Sequence, residues 1–242
     1  EFFHIKGAQM TTEALFRNLY VGGSDGNKCT HFISIPFRDE GLKKSFDAFR
    51  ADLLENSGKY HLDREIVQKT AKLHKTIINL NLSEKEDVEL VKKVLQEEKE
   101  ALKKILDGDD ATGKPRKKHV IIKGLKYPRN MMRTHSLYAN ISSPTIDKIM
   151  DHLLKALQRS KVKVLTDARS LPTINQIVVI SDNLLTSETK VPSKDYTFNP
   201  GPIMSAYKAY NFGEFDITEI HLSRRSKYGP DGFYEAEDIL EF

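Results

Sequence analysis

The chain has 242 residues, 39 % of them hydrophobic and 30 % charged, with 12 Phe, 9 Tyr and no Trp. That is enough apolar material for one large core or two lobes, and no apolar run approaches the ~18 residues that a membrane-spanning helix needs. A single cysteine, Cys29, excludes an internal disulfide and suits a reducing compartment; the eight histidines lack zinc-ligand spacing, and a net charge of +4 permits an acidic partner such as RNA without demanding one.

Glu1 to Lys6 lack the long apolar stretch of a secretory signal. Met10 is a candidate native start, which would make residues 1–9 foreign to the native protein, and residues 1–28 read as an N-terminal extension. Residues 30–37 (Thr-His-Phe-Ile-Ser-Ile-Pro-Phe) read as a strand ended by Pro36. Leu42, Phe46, Phe49, Leu53 and Leu54 then recur at helical spacing. Residues 72–80 form a second strand. Ser83 and Glu86 read as a capping box opening one helix that runs to about Leu106, with Val88, Val91, Val94, Leu95, Leu102 and Ile105 on its apolar face. Gly108 to Lys118 has the composition of a loop or linker.

The order then repeats. His119 to Leu125 and His135 to Ile141 read as strands, and Pro144 opens a helix through Ile146, Ile149, Met150, Leu153, Leu154 and Leu157. Val162 to Leu165 is expected as a short strand and Ile174 to Ile180 as a longer one. Residues 182–202 read as a polar loop, followed by a short helix around Ile203 to Tyr210. Phe215 to Leu222 and Phe233 to Ile239 close the chain as strands of a hairpin turning at Gly229-Pro230-Asp231-Gly232. The pattern is that of an α+β or α/β protein in two similar lobes.

The stretch Leu73-His74-Lys75-Thr76-Ile77-Ile78 carries the most chemistry. Strand side chains alternate, so His74 and Thr76 share a face and Lys75 points to the other. An imidazole that titrates near neutral pH beside a hydroxyl that can hold a phosphate oxygen is a small device for phosphate chemistry. A half-buried histidine next to a strand threonine is the structural alternative, and the motif alone does not choose between them.

Four stretches together resemble the 2H phosphoesterase superfamily, in the branch of ligase-like domains found in A-kinase anchoring proteins and in the KH-bearing subunit of the activating signal cointegrator complex. They are residues 29–37 (Cys-Thr-His-Phe-Ile-Ser-Ile-Pro-Phe), 72–77 (Lys-Leu-His-Lys-Thr-Ile), 122–127 with 136–141, and 212–225 (Phe-Gly-Glu-Phe-Asp-Ile-Thr-Glu-Ile-His-Leu-Ser-Arg-Arg); Asp231-Gly232-Phe233-Tyr234 fits the closing hairpin. The resemblance covers 29–242 and includes no KH domain. It implies an α+β bilobal fold, two facing antiparallel sheets lining a cleft with helices outside, with lobes of roughly 29–110 plus the closing strands and 119–242.

The resemblance also implies two His-x-Thr/Ser motifs facing each other across the cleft, one imidazole acting as general base and the other as general acid on a phosphodiester or 2′,3′-cyclic phosphate, without a metal or other cofactor. His74 and Thr76 form the first. By position the second falls in Leu171 to Ile177, where Thr173 and Asn175 stand for the His and the Thr; shifting by two residues puts Asn175 and Ile177 there. Neither alignment supplies an imidazole. His221-Leu222-Ser223 is a literal His-x-Ser but lies in the stretch matching the last strand of the family. His31 has Ser34 at +3, on the opposite strand face, and His135 and His152 have no partner pattern.

Losing one of two proton-transfer groups costs about 10²- to 10⁴-fold in rate. The expectation is therefore a degenerate domain that binds RNA or a nucleotide, or serves as a subunit of a nuclear RNA or transcription/repair complex, in the nucleus, the cytoplasm or both. The alternatives are an active phosphodiesterase pairing His74 with an unusual partner such as His221, or a protein-interaction module with an unused cleft. Lys114, Arg116, Lys117 and Lys118 form a compact basic run that reads as a nuclear-localisation signal, an RNA backbone contact or a solvated loop. Arg224 and Arg225 are candidate phosphate contacts at a lobe rim. No interleaving of aromatics with these charges is visible in the sequence.

Overall fold

The computed structural model describes residues 29–108, 120–127, 134–165, 176–181, 184 and 197–242. Among them are eight strands in two four-stranded antiparallel sheets and six α-helices. The first sheet has the order β2-β1-β7-β8, built from β1 (His31–Pro36), β2 (His74–Leu80), β7 (Glu219–Tyr228) and β8 (Tyr234–Glu241). The second has the order β5-β4-β3-β6, built from β3 (Val120–Lys126), β4 (Ser136–Ser142), β5 (Gln176–Ser181) and β6 (Asn211–Phe215). The two sheets meet where the edge strands β2 and β5 come together, tied by the segments ahead of them: Gln68 N, before β2, donates to Val179 O of β5 at 3.0 Å, and Leu165 N, before β5, donates to Asn79 O of β2 at 3.0 Å. This is the α+β architecture expected, two antiparallel sheets lining a cleft with helices outside.

The two 16-residue helices each cross to the sheet they did not come from. Helix α1 (Glu40–Glu55) follows β1, and Asp39 caps it by accepting from Leu42 N at 2.8 Å. Its buried stripe, Leu42, Phe46, Phe49 and Leu53, packs on β6 of the second sheet, with the Phe46 ring stacked 4.5 Å from Phe212. Helix α2 (Ser57–Tyr60) is a single turn after it. Helix α5 (Pro144–Arg159) follows β4, with Ser143 accepting from Ile146 N at 3.1 Å and Pro144 in its first turn. It packs against β2 and against helices α3 (Lys85–Glu97) and α4 (Lys99–Leu106). Helix α6 (Gly201–Tyr207) lies on β3.

Several sequence-based expectations change. The helix expected over 84–106 breaks at Glu98, whose carboxylate contacts His152 at 2.6 Å and accepts from Arg159 at 2.9 Å, both on α5. Ser83 does not cap α3; it donates to Asn81 Oδ1, and Glu84 is the N-cap residue without a side-chain cap bond. Phe215 to Leu222 is two strands, β6 and β7, which belong to different sheets. Val162 to Leu165 contributes a single bridge, Val164 to Leu80, rather than a strand. In β3 the chain bulges at Gly124, where φ is +78° and the amide donates to Tyr210 O at 2.7 Å; a Cβ there would stand 2.5 Å from Lys208 O. Only glycine fits that approach.

Candidate functional site

Direct cross-strand partners share a face of a sheet. In the first sheet Thr76 opposes Ser34, Ser34 opposes His221, His74 opposes Pro36 and Phe32 opposes Ser223. His74, Thr76, Ser34, Phe32, His221 and Ser223 therefore form one polar and aromatic face. The other face carries Ile33, Ile35, Leu222 and Lys75 and is covered by helices. Lys75, 3 % exposed, is opposite in direction to His74 as strand alternation requires. Burial pushes its ammonium down to about 8, against the pull of Asp147 in α5, whose own carboxyl burial pushes up.

His74 is fixed from both ring nitrogens. Nδ1 lies 2.8 Å from the carbonyl oxygen of Lys72 and Nε2 lies 3.1 Å from Thr76 Oγ1. A carbonyl only accepts, so Nδ1 carries the hydrogen and Nε2 accepts from the Thr76 hydroxyl. Three rings wall the imidazole: Phe32 at 5.1 Å, Tyr234 at 5.3 Å and Phe233 at 5.8 Å between centroids. Burial pushes the His74 pKa down to about 4, overriding the hydrogen bond to Lys72 that raises it, with Lys75 lowering it further. The imidazole is thus neutral at physiological pH and presents Nε2 as a base.

Phe233 divides this face. Its centroid is 5.8 Å from His74 and 5.7 Å from His221. Two strand spacings, about 10 Å, separate the strands carrying the two histidines, so His221 does not converge with His74 on one phosphate. His221 is 1 % exposed, its Nε2 3.1 Å from Glu219 Oε2 in a contact too poorly aligned for a hydrogen bond. Glu219 in turn accepts from Arg38 Nε at 2.9 Å, Arg38 also donates to Asp231 at 3.0 Å, and the guanidinium lies 5.0 Å over the Phe233 ring. The tight turn that places Phe233 is held by Gly232 at φ +79° and by Phe233 N donating to Asp231 Oδ1 at 3.0 Å. Beside it opens a pocket of ≈ 360 Å³ lined among others by Pro36, Arg38, Lys43, Thr70, Asp231 and Phe233.

Thr173, Asn175 and the basic run Lys114, Arg116, Lys117 and Lys118 lie outside the described residues; β5 begins at Gln176, which pairs with Asn140. Arg224 turns to the helix side of the sheet, where Glu237 engages its Nε. Arg225 is exposed on the site's side and acts on the Cys29 thiol and the Tyr234 hydroxyl. His31 lies on the helix face, 3.9 Å from Glu237. The residues the sequence reading missed are the walls, Phe32, Phe233, Tyr234 and Arg38. Two of them, Phe233 and Tyr234, stand in the Asp231-to-Tyr234 motif, which marks the closing hairpin but not their contact with His74.

Among curated proteins the chain is 24 % identical over 229 residues to "Activating signal cointegrator 1 complex subunit 1" of Mus musculus, covering 88 % of this chain and 63 % of that one, so it spans less than two thirds of that relative's length. Among solved structures it is similar to Escherichia coli LigT complexed with ATP (10 % identity, TM-score 0.50, 88 % of this chain and 97 % of that one). It is also similar to TT0787 of Thermus thermophilus (14 % identity, TM-score 0.48, 88 % and 97 %). The LigT likeness is one of fold. The model of the AKAP7 2′5′ RNA ligase-like domain matches residues 29–242, and with two antiparallel sheets, a His74/Thr76 pair on an inner strand face and helices outside, the chain belongs to that family within the 2H phosphoesterases.

Proposed function

We propose that this domain binds RNA or a nucleotide through the His74/Thr76 face and turns it over slowly at best, acting as a subunit of a larger nuclear or cytoplasmic assembly. The observation that carries this reading is the paired geometry of His74 and Thr76, set against the residue types at 171–177, none of which moves a proton near neutral pH. A neutral Nε2 can take a proton from a hydroxyl, and the Thr76 oxygen keeps lone pairs for a donor on the ligand. Residues 171–177 hold no imidazole to protonate a leaving group, and His221 is held away by Phe233. Two names add support: the LigT structure is described as a complex with ATP, and the mouse relative is named as a complex subunit.

The test pairs binding with turnover. Wild type, His74→Ala and Thr76→Ala are measured for affinity to a short single-stranded RNA ending in a 2′,3′-cyclic phosphate and for hydrolysis of that end. Weakened binding in both variants, with wild-type turnover about 10²- to 10⁴-fold below that of a two-histidine enzyme, fits the proposal. Unchanged binding in both variants removes this face as the binding site, and rapid turnover abolished by His74→Ala would make the domain an enzyme with a replaced second group.

A further inference from the structure

Tyr228 is half exposed at the end of β7, where it opposes Tyr234 of β8. The two rings lie 5.2 Å apart at 44°, and Tyr234 in turn lies 5.3 Å from His74. A row of rings, tilted between the two tyrosines and edge-on between Tyr234 and His74, therefore leads from the imidazole outward to solvent. Cations flank it. The Lys72 ammonium sits 3.5 Å from the Tyr228 centroid, while the carbonyl of the same Lys72 fixes His74 Nδ1. Arg225 and Lys227, on the same strand, are exposed. Lys72 reaches this row from the turn before β2, far away in sequence.

An exposed tyrosine among cations, one ring removed from a His/Thr pair, matches what an unpaired base and its phosphate need. The base takes a flat π surface, which serves any base, and the backbone takes the positive charge. We infer that Tyr228 is a stacking platform for a base of single-stranded RNA whose phosphate lies at His74 and Thr76. This rests on the function proposed above and names the part of the ligand it leaves open. Lys72 occupies one face of the ring without a ligand and shifts to the backbone when a base stacks there. Double-stranded RNA, whose bases are already stacked and paired, does not use the platform.

The experiment measures affinity of wild type, Tyr228→Ala, Tyr228→Phe and His74→Ala for a single-stranded hexamer RNA, for the same RNA in a duplex, and for ribose 5-phosphate. Melting curves confirm that the variants fold. Tyr228→Ala is expected to lose about 5- to 150-fold in affinity for the single strand, with Tyr228→Phe near wild type and ribose 5-phosphate binding unchanged in both. If Tyr228→Ala binds the hexamer as tightly as wild type while His74→Ala does not, the platform is refuted and the phosphate site stands. If wild type binds neither RNA nor sugar phosphate, both ideas fall. An equal loss for single strand and duplex would mark Tyr228 as a generic backbone contact and also refute stacking.

Discussion

The Thr76 hydroxyl donates to His74 Nε2 across 3.1 Å, while the Lys72 carbonyl holds Nδ1. The motif is thus closed on itself, and a ligand that takes the Thr76 hydrogen bond frees Nε2 as a base. Protonating His74 reverses the Nε2–Oγ1 bond, and the hydroxyl then points its hydrogen outward. Protonation of His74 therefore gives the Thr76 hydrogen to a ligand without competition from Nε2.

Acid should unfold this protein partly through His74. Its folded pKa of about 4 lies below the ordinary value of 6.5. Between those values the unfolded chain binds the proton and the folded one does not. The stability is complete above pH 6.5 and is lost as pH falls toward 4, by on the order of 3 kcal/mol. Denaturant unfolding of wild type and His74→Asn from pH 4 to 7 measures it: the variant should show a flatter slope. An unchanged slope would mean that His74 is not desolvated.

Lys75 predicts the opposite end of the pH scale. Its folded pKa of about 8 lies below the ordinary 10.5, so stability should rise with pH across that interval. Lys75→Met should flatten that rise. Asp147→Asn should steepen it, since the carboxylate opposes the depression. A Lys75→Met profile that overlays wild type between pH 8 and 10.5 would show that the ammonium is solvated.

Phe233 is expected to set the His74 environment as well as the stability. Phe233→Ala should cost roughly 3–5 kcal/mol, and Phe233→Leu less. In the leucine variant, water reaches His74 and its pKa should rise from about 4 toward 6.5. Titration of the imidazole by NMR checks this; a pKa that stays put would assign the depression to Phe32 and Tyr234 instead.

Gly124→Ala forces a Cβ to 2.5 Å from Lys208 O at a φ of +78°. A loss of roughly 1–3 kcal/mol is expected, read as a fall in melting temperature with the site's ligand affinity unchanged, because Gly124 lies in the second sheet on the side of α6.

What the sequence revealed depended on range. Leu42, Phe46, Phe49 and Leu53 announce α1 because a helix buries one stripe, and His74/Thr76 announce a shared face because strands alternate. The break at Glu98 escaped notice because its cause is His152 and Arg159 on another helix. The division between β6 and β7 escaped notice because Phe215, Ile217 and Ile220 are all buried, so the apolar pattern runs on while the chain passes from one sheet to the other. For the same reason the neighbours of His74 were invisible: Phe233 and Tyr234 reach it only through the pairing of β1 with β7 and of β7 with β8. Proton-transfer chemistry could be read from residue types; the aromatic walls that depress its pKa could not.

The crossing of α1 and α5 has an evolutionary consequence. Each sheet owes part of its outer cover to a helix that begins in the other, so neither lobe is a transferable unit. A chain cut between α4 and β3 would leave Phe46 and Phe49 without Phe212 and would uncover the apolar side of β2. The two halves depend on each other for their cores, so changes in what the domain recognises fall to the strand faces and hairpins rather than to exchange of halves.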